Sequence, residues 1–536
     1  MYSTGRAGPR GCRGPIRIGA LGGLWCLVAV CDARVLGHEG LAAAAGPKIE
    51  APLLRGAAST RRAGSPAGLA AAGAHQPAPG GGHYWPQKLG GPSSSNAVTF
   101  AASANFSAPA WIWPNVHDDC SGFFSTLIDA DMNVYINAGG WDSAQGEQIR
   151  KLDADGQVLW TFGRPSVAVG AAPALYGDSL FVFLRDPLNG HCMELFSLAL
   201  STGIVEWSRR YPEYRWSGEE PSILVDNGTV FFGAARNVPV GTDTIIAVSS
   251  SNGDLMWEYE ADEIMWNFKP STPGDGTVVF ASSCGAVYRL GRNGELLWRA
   301  GNHHNLTFCT PGGGALGPNG VFYAEYREVP MLGPTPEAPG TMWQGGPTDT
   351  LDAYRVSDGS LLWRRHLPYR AAQYPAVGYL GPNGPLAVVA PLGDNPNAPS
   401  DNADDAAMLK LVGGSLRNMV VAMDAATGET LWTSEDDRWH HSYGAGEIAD
   451  HNPADGAVCW PDAQGIPALA GDGTVYATSG LSGSLRAIRD ADGDGVISPS
   501  EVSTFQTHNV FLNSPSLAPG MAVVAPCWGP MYVFRE

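Results

Sequence analysis

Basic residues and long apolar runs are scarce in this sequence. It carries 33 Lys and Arg against 52 Asp and Glu, which gives a formal net charge of −19. This deficit excludes binding to nucleic acid or anionic lipid through a general positive field. The apolar run Ile18–Cys31 is too short to cross a bilayer comfortably. We therefore expect no nucleic-acid partner, and no stable membrane span once the N-terminus is processed.

Sequence motifs for common catalytic chemistries are missing too. No P-loop, dinucleotide-binding fingerprint or Ser-His-Asp arrangement rises above background, and the nine cysteines include no CxxC. We therefore assign no catalytic residue.

The N-terminal 102 residues differ in composition from the rest. Arginine-rich Met1–Arg17 precedes the apolar run, which is typical of a secretory signal peptide. We predict a targeting segment over 1–34, with a signal anchor or a plastid-type leader as alternatives. Residues 35–102 are rich in Ala, Gly, Pro and Ser and are predicted to form a disordered linker. Secretion implies an extracellular or luminal location.

A turn glycine followed four residues later by tryptophan recurs along the remaining chain. The pairs are Gly156/Trp160, Gly203/Trp207, Gly253/Trp257, Gly294/Trp298, Gly359/Trp363 and Gly428/Trp432. Glycine adopts the positive φ of such turns without steric cost, and tryptophan covers a large apolar area between sheets. Repeats of this length made of short strands predict propeller blades.

Counting strands gives eight blades over residues 103–536. Seven fall near 122–163, 167–210, 218–260, 267–300, 306–366, 371–434 and 464–506. The run Phe511–Phe534 has three strand-like segments without an outer tryptophan strand, and Pro109–Pro114 is such a strand without a blade. Joined, they complete an eighth blade. The predicted fold is an all-β, eight-bladed propeller closed by pairing of its N- and C-terminal strands.

The repeat Ala422-x-Asp424-x-x-Thr427-Gly428-x-x-x-Trp432 resembles the tryptophan-docking repeat of the quinoprotein, or PQQ-like, propellers. A weaker copy runs from Ala247 to Trp257. The resemblance implies the eight-bladed fold, but the superfamily includes both quinone-dependent alcohol dehydrogenases and non-catalytic binding scaffolds, such as the barrel-assembly lipoprotein of bacterial outer membranes. The dehydrogenases resemble one another in an adjacent Cys-Cys pair beneath the cofactor. No two cysteines are adjacent here, so PQQ is possible but unsupported.

The strongest chemical motif is the acidic loop, residues 490–501, which fits D-x-D-x-D-G-x₅-E at every position. The predicted calcium ligands are Asp490, Asp492, Asp494, the Val496 carbonyl, Ser498 acting through water, and Glu501. The alternative is a solvated acidic turn. The preceding stretch Gly483–Arg489 reads as a strand rather than a helix. We therefore predict an EF-type loop grafted on a hairpin, with a structural role.

Long loops and histidines are predicted to share one face of the ring. The long insertions Arg327–Pro347 and Pro391–Arg417 lie between second and third strands, and Arg438–Gly465 enters an inner strand. Six histidines lie near the same connections: His117, His303, His304, His440, His441 and His508, with Asp118, Asp119, Asp450 and His451 nearby. They suggest either a transition-metal site or ordinary polar loops. Long loops on a rigid scaffold suit binding of a protein or glycan partner.

Cysteines and sequons fit a secretory route. Disulfides are predicted for Cys284–Cys309 and for Cys527–Cys120, while Cys192 and Cys459 fall on distant blades. Sequons occur at Asn105, Asn227 and Asn305. Two functions follow as hypotheses: a monomeric, calcium-binding interaction scaffold, or an oxidoreductase that holds a quinone or metal in the channel.

Overall fold

The computed structural model describes most of the chain beyond residue 81. The described segments are 82–113, 126–137, 146–165, 167–185, 193–215, 222–236, 241–265, 268–282, 285–301, 313–327, 349–371, 373–394, 414–441, 444–445, 463–507, 509–527 and 529–536. Within these segments no helix combines the length and the apolar character needed to cross a membrane.

The described strands form eight antiparallel sheets, the blades of a propeller, numbered here in chain order. Blade 1 contains β2 (Leu127–Ile128), β3 (Val134–Asn137), β4 (Ile149–Leu152) and β5 (Val158–Phe162), and blade 2 contains β6 (Ala168–Val169), β7 (Ala174–Tyr176), β8 (Ser179–Arg185), β9 (Met193–Ala199) and β10 (Val205–Arg210). Blade 3 contains β11 (Leu224–Asp226), β12 (Thr229–Ala234), β13 (Thr242–Ser249) and β14 (Leu255–Met265). Blade 4 contains β15 (Val278–Ala281), β16 (Ala286–Leu290) and β17 (Leu296–Gly301).

Blades 5 to 8 continue the series. Blade 5 contains β18 (Gly313–Leu316), β19 (Val321–Arg327), β20 (Asp349–Arg355) and β21 (Leu361–His366), and blade 6 contains β22 (Arg370–Ala371), β23 (Ala376–Tyr379), β24 (Leu386–Gly393), β25 (Asn418–Asp424) and β26 (Thr430–Glu435). Blade 7 contains β27 (Ala468–Leu469), β28 (Val475–Thr478), β29 (Ser484–Ile488), the 3₁₀ turn Pro499–Glu501 and β30 (Val502–Gln506). Blade 8 contains β31 (Ser516–Ala518), β32 (Met521–Val524), β33 (Met531–Arg535) and β1 (Trp111–Trp113).

Within a blade, strands follow one another from the channel to the rim. Middle strands such as β12 and β13 are buried along almost their whole length, whereas the outer strand β10 is largely exposed. Blade 8 draws its outer strand from the other end of the chain, with Trp111 of β1 opposite Val533 of β33. The core is divided into apolar clusters, most of them between neighbouring blades, so each blade depends on the next for burial.

Six outer-strand tryptophans each dock on the turn glycine of the following blade. Each indole Nε1 donates to a backbone carbonyl of that turn over 2.8–3.1 Å, in the pairs Trp111–Ala154, Trp160–Leu200, Trp207–Ser250, Trp257–Arg292, Trp298–Val356 and Trp363–Ala425. A Cβ on Gly203 would lie 2.7 Å from the Trp160 ring, and the φ of Gly203 is 70°. Close approach and left-handed backbone therefore both require glycine there.

The junctions on either side of blade 7 depart from this pattern. Trp432 of blade 6 is 3% exposed and shares an apolar cluster with Ile497 of the acidic loop, which replaces the tight glycine turn. The outer strand β30 presents Phe505 to blade 8, with its ring centroid 5.1 Å from those of both Tyr532 and Phe534. An aromatic contact thus joins blades 7 and 8, where β30 has no tryptophan that could donate an indole hydrogen bond.

The channel segment, residues 83–101, lies against the innermost strands. Trp85 and Lys88 are 0% exposed, and Trp85 exchanges two backbone hydrogen bonds of 3.0 Å with Ile128. The predicted disordered linker is therefore wrong for residues 82–102. Composition misled because the segment gains order from the backbone of the inner strands rather than from an apolar core of its own. Residues 35–81 and the predicted targeting segment 1–34 lie outside the described residues.

Connections alternate between two faces of the ring. Those between first and second strands, and between third and fourth strands, form the turn face; the remaining connections form the loop face. The strands that flank the long connections β19–β20, β24–β25 and β26–β27 therefore end on the loop face, as predicted, and most residues of these connections lie outside the described part. β24 continues to Gly393, so its connection begins later than the predicted Pro391. The acidic loop lies on the turn face.

Candidate calcium site

The acidic loop joins β29 to β30, the two outer strands of blade 7, and begins where their pairing ends. Ile488 pairs with Val502, and the amide of Arg489 donates to the carbonyl of Glu501 at 3.0 Å. The sheet therefore brings the first and last acidic residues of the loop together, a task that two helices perform in an EF-hand.

Three aspartates converge inside the loop. One carboxylate oxygen from each of Asp490, Asp492 and Asp494 lies within 4.8 Å of the others. The amides of Gly493 and Gly495 donate to Asp490 at 2.8 and 3.1 Å, which orients this carboxylate towards the loop interior. Charged carboxylates repel one another at such distances, so a bound cation would stabilise this conformation.

Glu501 and Ser498 occupy the far side of the loop. Glu501 accepts hydrogen bonds from the amides of Ala491 and Ser498, at 2.6 and 2.8 Å, and from the Ser498 hydroxyl at 2.9 Å. Donation from Ser498 and Ala491 holds the pKa of Glu501 below its usual value, which keeps the carboxylate charged. Here Glu501 caps the turn Pro499–Glu501.

The donors available in this loop are all oxygens. Besides the four carboxylates, the Ser498 hydroxyl and the Val496 carbonyl are present, and the Val496 side chain is 64% exposed. Hard oxygen donors select calcium or magnesium, and calcium tolerates the irregular geometry of a flexible loop. To complete the shell, Glu501 would have to turn from its present amide partners towards the aspartates. The residues fit a calcium ion by type and order, and the three aspartates also by placement.

The acidic loop also covers the junction to blade 6. Ile497 packs against the cluster that contains Trp432, and a Cβ on Gly495 would lie 3.0 Å from the carbonyl of Leu431. A cation that orders the loop would therefore stabilise a junction that lacks the usual glycine turn.

The predicted channel-mouth histidines are described only in part. His440 is exposed, and His441 is half-buried with its ring centroid 5.2 Å from that of Trp439. The others, with the nearby acidic residues, lie outside the described residues: His117, His303, His304, His451, His508, Asp118, Asp119 and Asp450. A transition-metal site there stays a prediction.

The predicted disulfides cannot be traced through the described residues. Cys527 is 1% exposed, and its amide donates to the carbonyl of Val510 at 2.8 Å. The other five cysteines of residues 103–536 lie outside the described part, as do the three in the predicted targeting segment: Cys120, Cys192, Cys284, Cys309 and Cys459, and Cys12, Cys26 and Cys31. Asn105 and Asn227 of the predicted sequons are exposed, as glycosylation requires.

Sequence analysis missed a buried carboxyl in blade 5. Glu325 of β19 is 1% exposed, between Gly313 and Leu351 on the adjacent strands. Among the described residues, neither of its carboxylate oxygens has a hydrogen-bond partner. Burial raises its pKa well above the ordinary 4.5, and the nearby Asp349 raises it further. The signal available was a lone acid in the otherwise apolar run of β19.

Fold and docking geometry together define a class: an eight-bladed propeller whose blades are joined by tryptophan docking. Two overlapping stretches, 145–305 and 215–374, match the family model described as outer membrane protein assembly factor BamB. The matched stretches together span residues 145–374, so this part of the propeller is similar to the repeats of that family. No curated protein matches the chain significantly.

Solved structures similar to this chain include an assembly factor and two alcohol dehydrogenases. BamB from Moraxella catarrhalis has a TM-score of 0.50 at 14% identity, over 77% of this chain and 97% of that one. Quinohemoprotein alcohol dehydrogenase from Comamonas testosteroni has a TM-score of 0.51 at 12% identity, over 84% and 80%. The related enzyme ADHIIG from Pseudomonas putida HK5 gives 0.51 and 12%, over 85% and 80%. At these identities the likeness concerns the fold alone.

Proposed function

We propose that this protein is a calcium-stabilised propeller that serves as a binding scaffold through its loop face. The observation that carries the calcium part is the convergence of Asp490, Asp492 and Asp494 within 4.8 Å on a loop held by a β-ladder. The remaining ligands would be the Val496 carbonyl, Ser498 and Glu501. In this view calcium supports the junction between blades 6 and 7 rather than acting as a switch.

Thermal unfolding and native mass spectrometry test the calcium site. Binding stabilises the folded state by RT ln(1 + [L]/Kd), about 2.7 kcal/mol at a hundredfold excess over Kd. We expect calcium to raise the unfolding midpoint and one ion to appear in the mass spectrum. A D492N/D494N double variant should lose both effects. E429Q is the matched control, because Glu429 is an exposed acid in the equivalent turn of blade 6. An unchanged midpoint with and without calcium contradicts the structural role.

The scaffold part of the proposal rests on where the long connections lie. Three of the longest connections between the described strands begin and end on the loop face. Surface loops on a rigid framework are the usual place for binding. The fold shared with BamB, an assembly factor, supports a protein partner, and a glycan is the other candidate. We place the protein as a monomer in the secretory pathway, extracellular or luminal.

Blocking one face at a time tests the scaffold. A bulky polymer attached to a cysteine introduced at His440 would cover the loop face, and the same polymer at Ser357 would cover the turn face; both positions are exposed. On arrays of glycans and of secreted-protein peptides, the H440C conjugate should lose binding and the S357C conjugate should keep it. Equal binding by both conjugates contradicts a partner site on the loop face.

The alternative proposal is an oxidoreductase with a quinone, PQQ, or a metal in the central channel. Its support is the fold shared with the two quinohemoprotein alcohol dehydrogenases. A bound quinone absorbs in the near-ultraviolet, so the spectrum of the purified protein, with elemental analysis, separates the two proposals. A spectrum with aromatic absorbance only, together with calcium as the only metal in the elemental analysis, favours the scaffold.

A further inference from the structure

The channel segment makes one circuit of the ring in chain order. Its contacts begin at blade 1 and end at blade 8. The main-chain groups joined are Trp85–Ile128, Pro86–Leu175, Pro92–Thr272, Ser93–Leu316, Ser95–Val377, Asn96–Leu469 and Ala101–Gly520, all within 2.8–3.1 Å, and in blade 3 the amide of Val225 donates to the Gln87 side chain at 3.1 Å.

This circuit uses strand edges that a propeller otherwise leaves open. The innermost strand of each blade turns an edge of backbone groups towards the channel, and open edges invite water or another chain. Here the amides of Leu316 and Val377 donate to the carbonyls of Ser93 and Ser95, at 3.1 and 2.8 Å. The segment therefore protects amides on blades that are distant in sequence from its own attachment at β1.

The circuit also links blades that do not touch one another. In a ring of repeats, each unit contacts only its two neighbours. Trp85 packs in the cluster that contains residues of blades 7, 8 and 1, whereas Leu89 is 2% exposed and packs with Tyr374 and Ile466, which lead into the inner strands of blades 6 and 7. Backbone hydrogen bonds to Ile128 of blade 1 and Leu316 of blade 5 show that one continuous peptide contacts opposite sides of the ring.

We propose that the channel segment is an internal clasp, which makes the stability of the inner strands collective and closes the channel at the turn face. The position of its first residue supports the closure. His83 Nε2 lies 2.8 Å from the carbonyl of Gly177, in the turn between β7 and β8, and His83 Nδ1 accepts from the amide of Ala130. Both turns belong to the turn face.

A cut between the clasp and the propeller tests the proposal on the full chain. A specific protease site would be inserted between Ser107 and Ala108, which are exposed and precede β1. The matched control carries the same site between Pro382 and Asn383, exposed in the turn between β23 and β24 of blade 6. After cleavage, gel filtration in increasing urea reports when the N-terminal fragment leaves. Hydrogen exchange reports protection at Thr272, Leu316 and Val377.

We expect the fragment to stay bound in buffer after cleavage. Its release in urea should coincide with exchange at least roughly tenfold faster at those amides of blades 4 to 6, because each loses its acceptor. Unfolding of the cut protein as a whole, with the control intact, also supports the clasp. Release of the fragment with unchanged protection in blades 4 to 6 overturns it, as does a loss confined to blades 1 and 8.

A point variant gives an independent reading in the uncut chain. L89A removes a buried side chain that packs with Tyr374 and Ile466, next to blades 6 and 7. If the clasp acts as one unit, exchange should rise at Leu175 of blade 2, whose amide donates to Pro86, as well as at Val377. A rise at Val377 alone would show that Leu89 only fills space locally, and it would overturn the proposal.

Discussion

Replacing a docking tryptophan by phenylalanine should reveal how much of each blade junction rests on the indole hydrogen bond. Trp257 and Trp363 form a matched pair, because each is 9% exposed. Each also has an aromatic neighbour at a similar distance, Phe231 at 5.9 Å and Tyr323 at 5.8 Å between ring centroids. The apolar loss on substitution should therefore be nearly the same at the two sites.

The two sites differ in the acceptor that is left behind. The carbonyl of Arg292 receives Trp257 Nε1 at 2.8 Å and has no second donor among the described residues. The carbonyl of Ala425 receives Trp363 Nε1 at 3.1 Å and also the Tyr323 hydroxyl at 2.9 Å. It therefore stays paired after the substitution.

Magnitudes follow from this difference. Loss of the pyrrole part of a buried indole costs about 1–2 kcal/mol in either variant. An acceptor left unpaired adds about 1–3 kcal/mol. We expect W257F to lower the free energy of unfolding by roughly 1–2 kcal/mol more than W363F, the difference being the acceptor penalty.

Urea unfolding followed by far-ultraviolet circular dichroism, at fixed calcium, measures the two losses without relying on the fluorescence of the substituted residue. The slopes of the transitions should agree with that of the parent protein, so that the midpoints report stability. Equal losses, or a larger loss for W363F, would refute the reasoning and assign the docking energy to buried area alone.

Further predictions concern the turns, the buried carboxyl and the acidic loop. G203A should cost several kcal/mol because its Cβ would lie 2.7 Å from the Trp160 ring, whereas G177A, with φ of 57° and nothing within 4 Å, should cost only about 1 kcal/mol; urea unfolding compares them. Burial raises the folded-state pKa of Glu325 above 4.5, so its protonated form is favoured and stability falls as pH rises above that value, by up to about 1.4 kcal/mol per pH unit. E325Q should therefore gain stability over the parent at pH 8 but not at pH 4; equal effects at both contradict this. Chelation should lower the unfolding midpoint of the parent and leave D492N/D494N unchanged.

The repeat could be predicted from sequence because its physics is local. A positive-φ glycine and an indole at fixed spacing leave a readable trace, and the pairing of Trp111 with Val533 is the one that the orphan tryptophan strand required. The acidic loop was equally readable, since its donors lie within twelve positions of one ladder end. Spacing did not show that six of the indoles contact the turn glycine of the next blade, because that contact joins neighbouring blades rather than residues of one repeat.

The channel segment and Glu325 escaped prediction for physical reasons. Residues 83–101 satisfy their backbone groups on distant strands, so neither periodicity nor apolar content marks them as ordered. Glu325 is exceptional only in its surroundings, which are assembled from β18, β19 and β20. Composition describes what a segment can bury by itself, and both features depend on surface supplied by other parts of the chain.

The missing glycine turn and the missing docking tryptophan both belong to blade 7, and the acidic loop and several channel-segment bonds that offset them lie at the same blade. A ring of repeats opens most easily at its weakest interface, because each interface contributes separately to stability. Blade 7 has neither a tight glycine turn to receive Trp432 nor a tryptophan to offer blade 8. The channel segment concentrates its bonds there: Leu469 forms two, and Gly471 donates to Phe100. The acidic loop covers the same blade from the rim. Calcium in the acidic loop and the clasp at β27 would thus stabilise opposite sides of the blade 7 sheet. This is why the acidic loop and the additional bonds of the channel segment occur on the same blade.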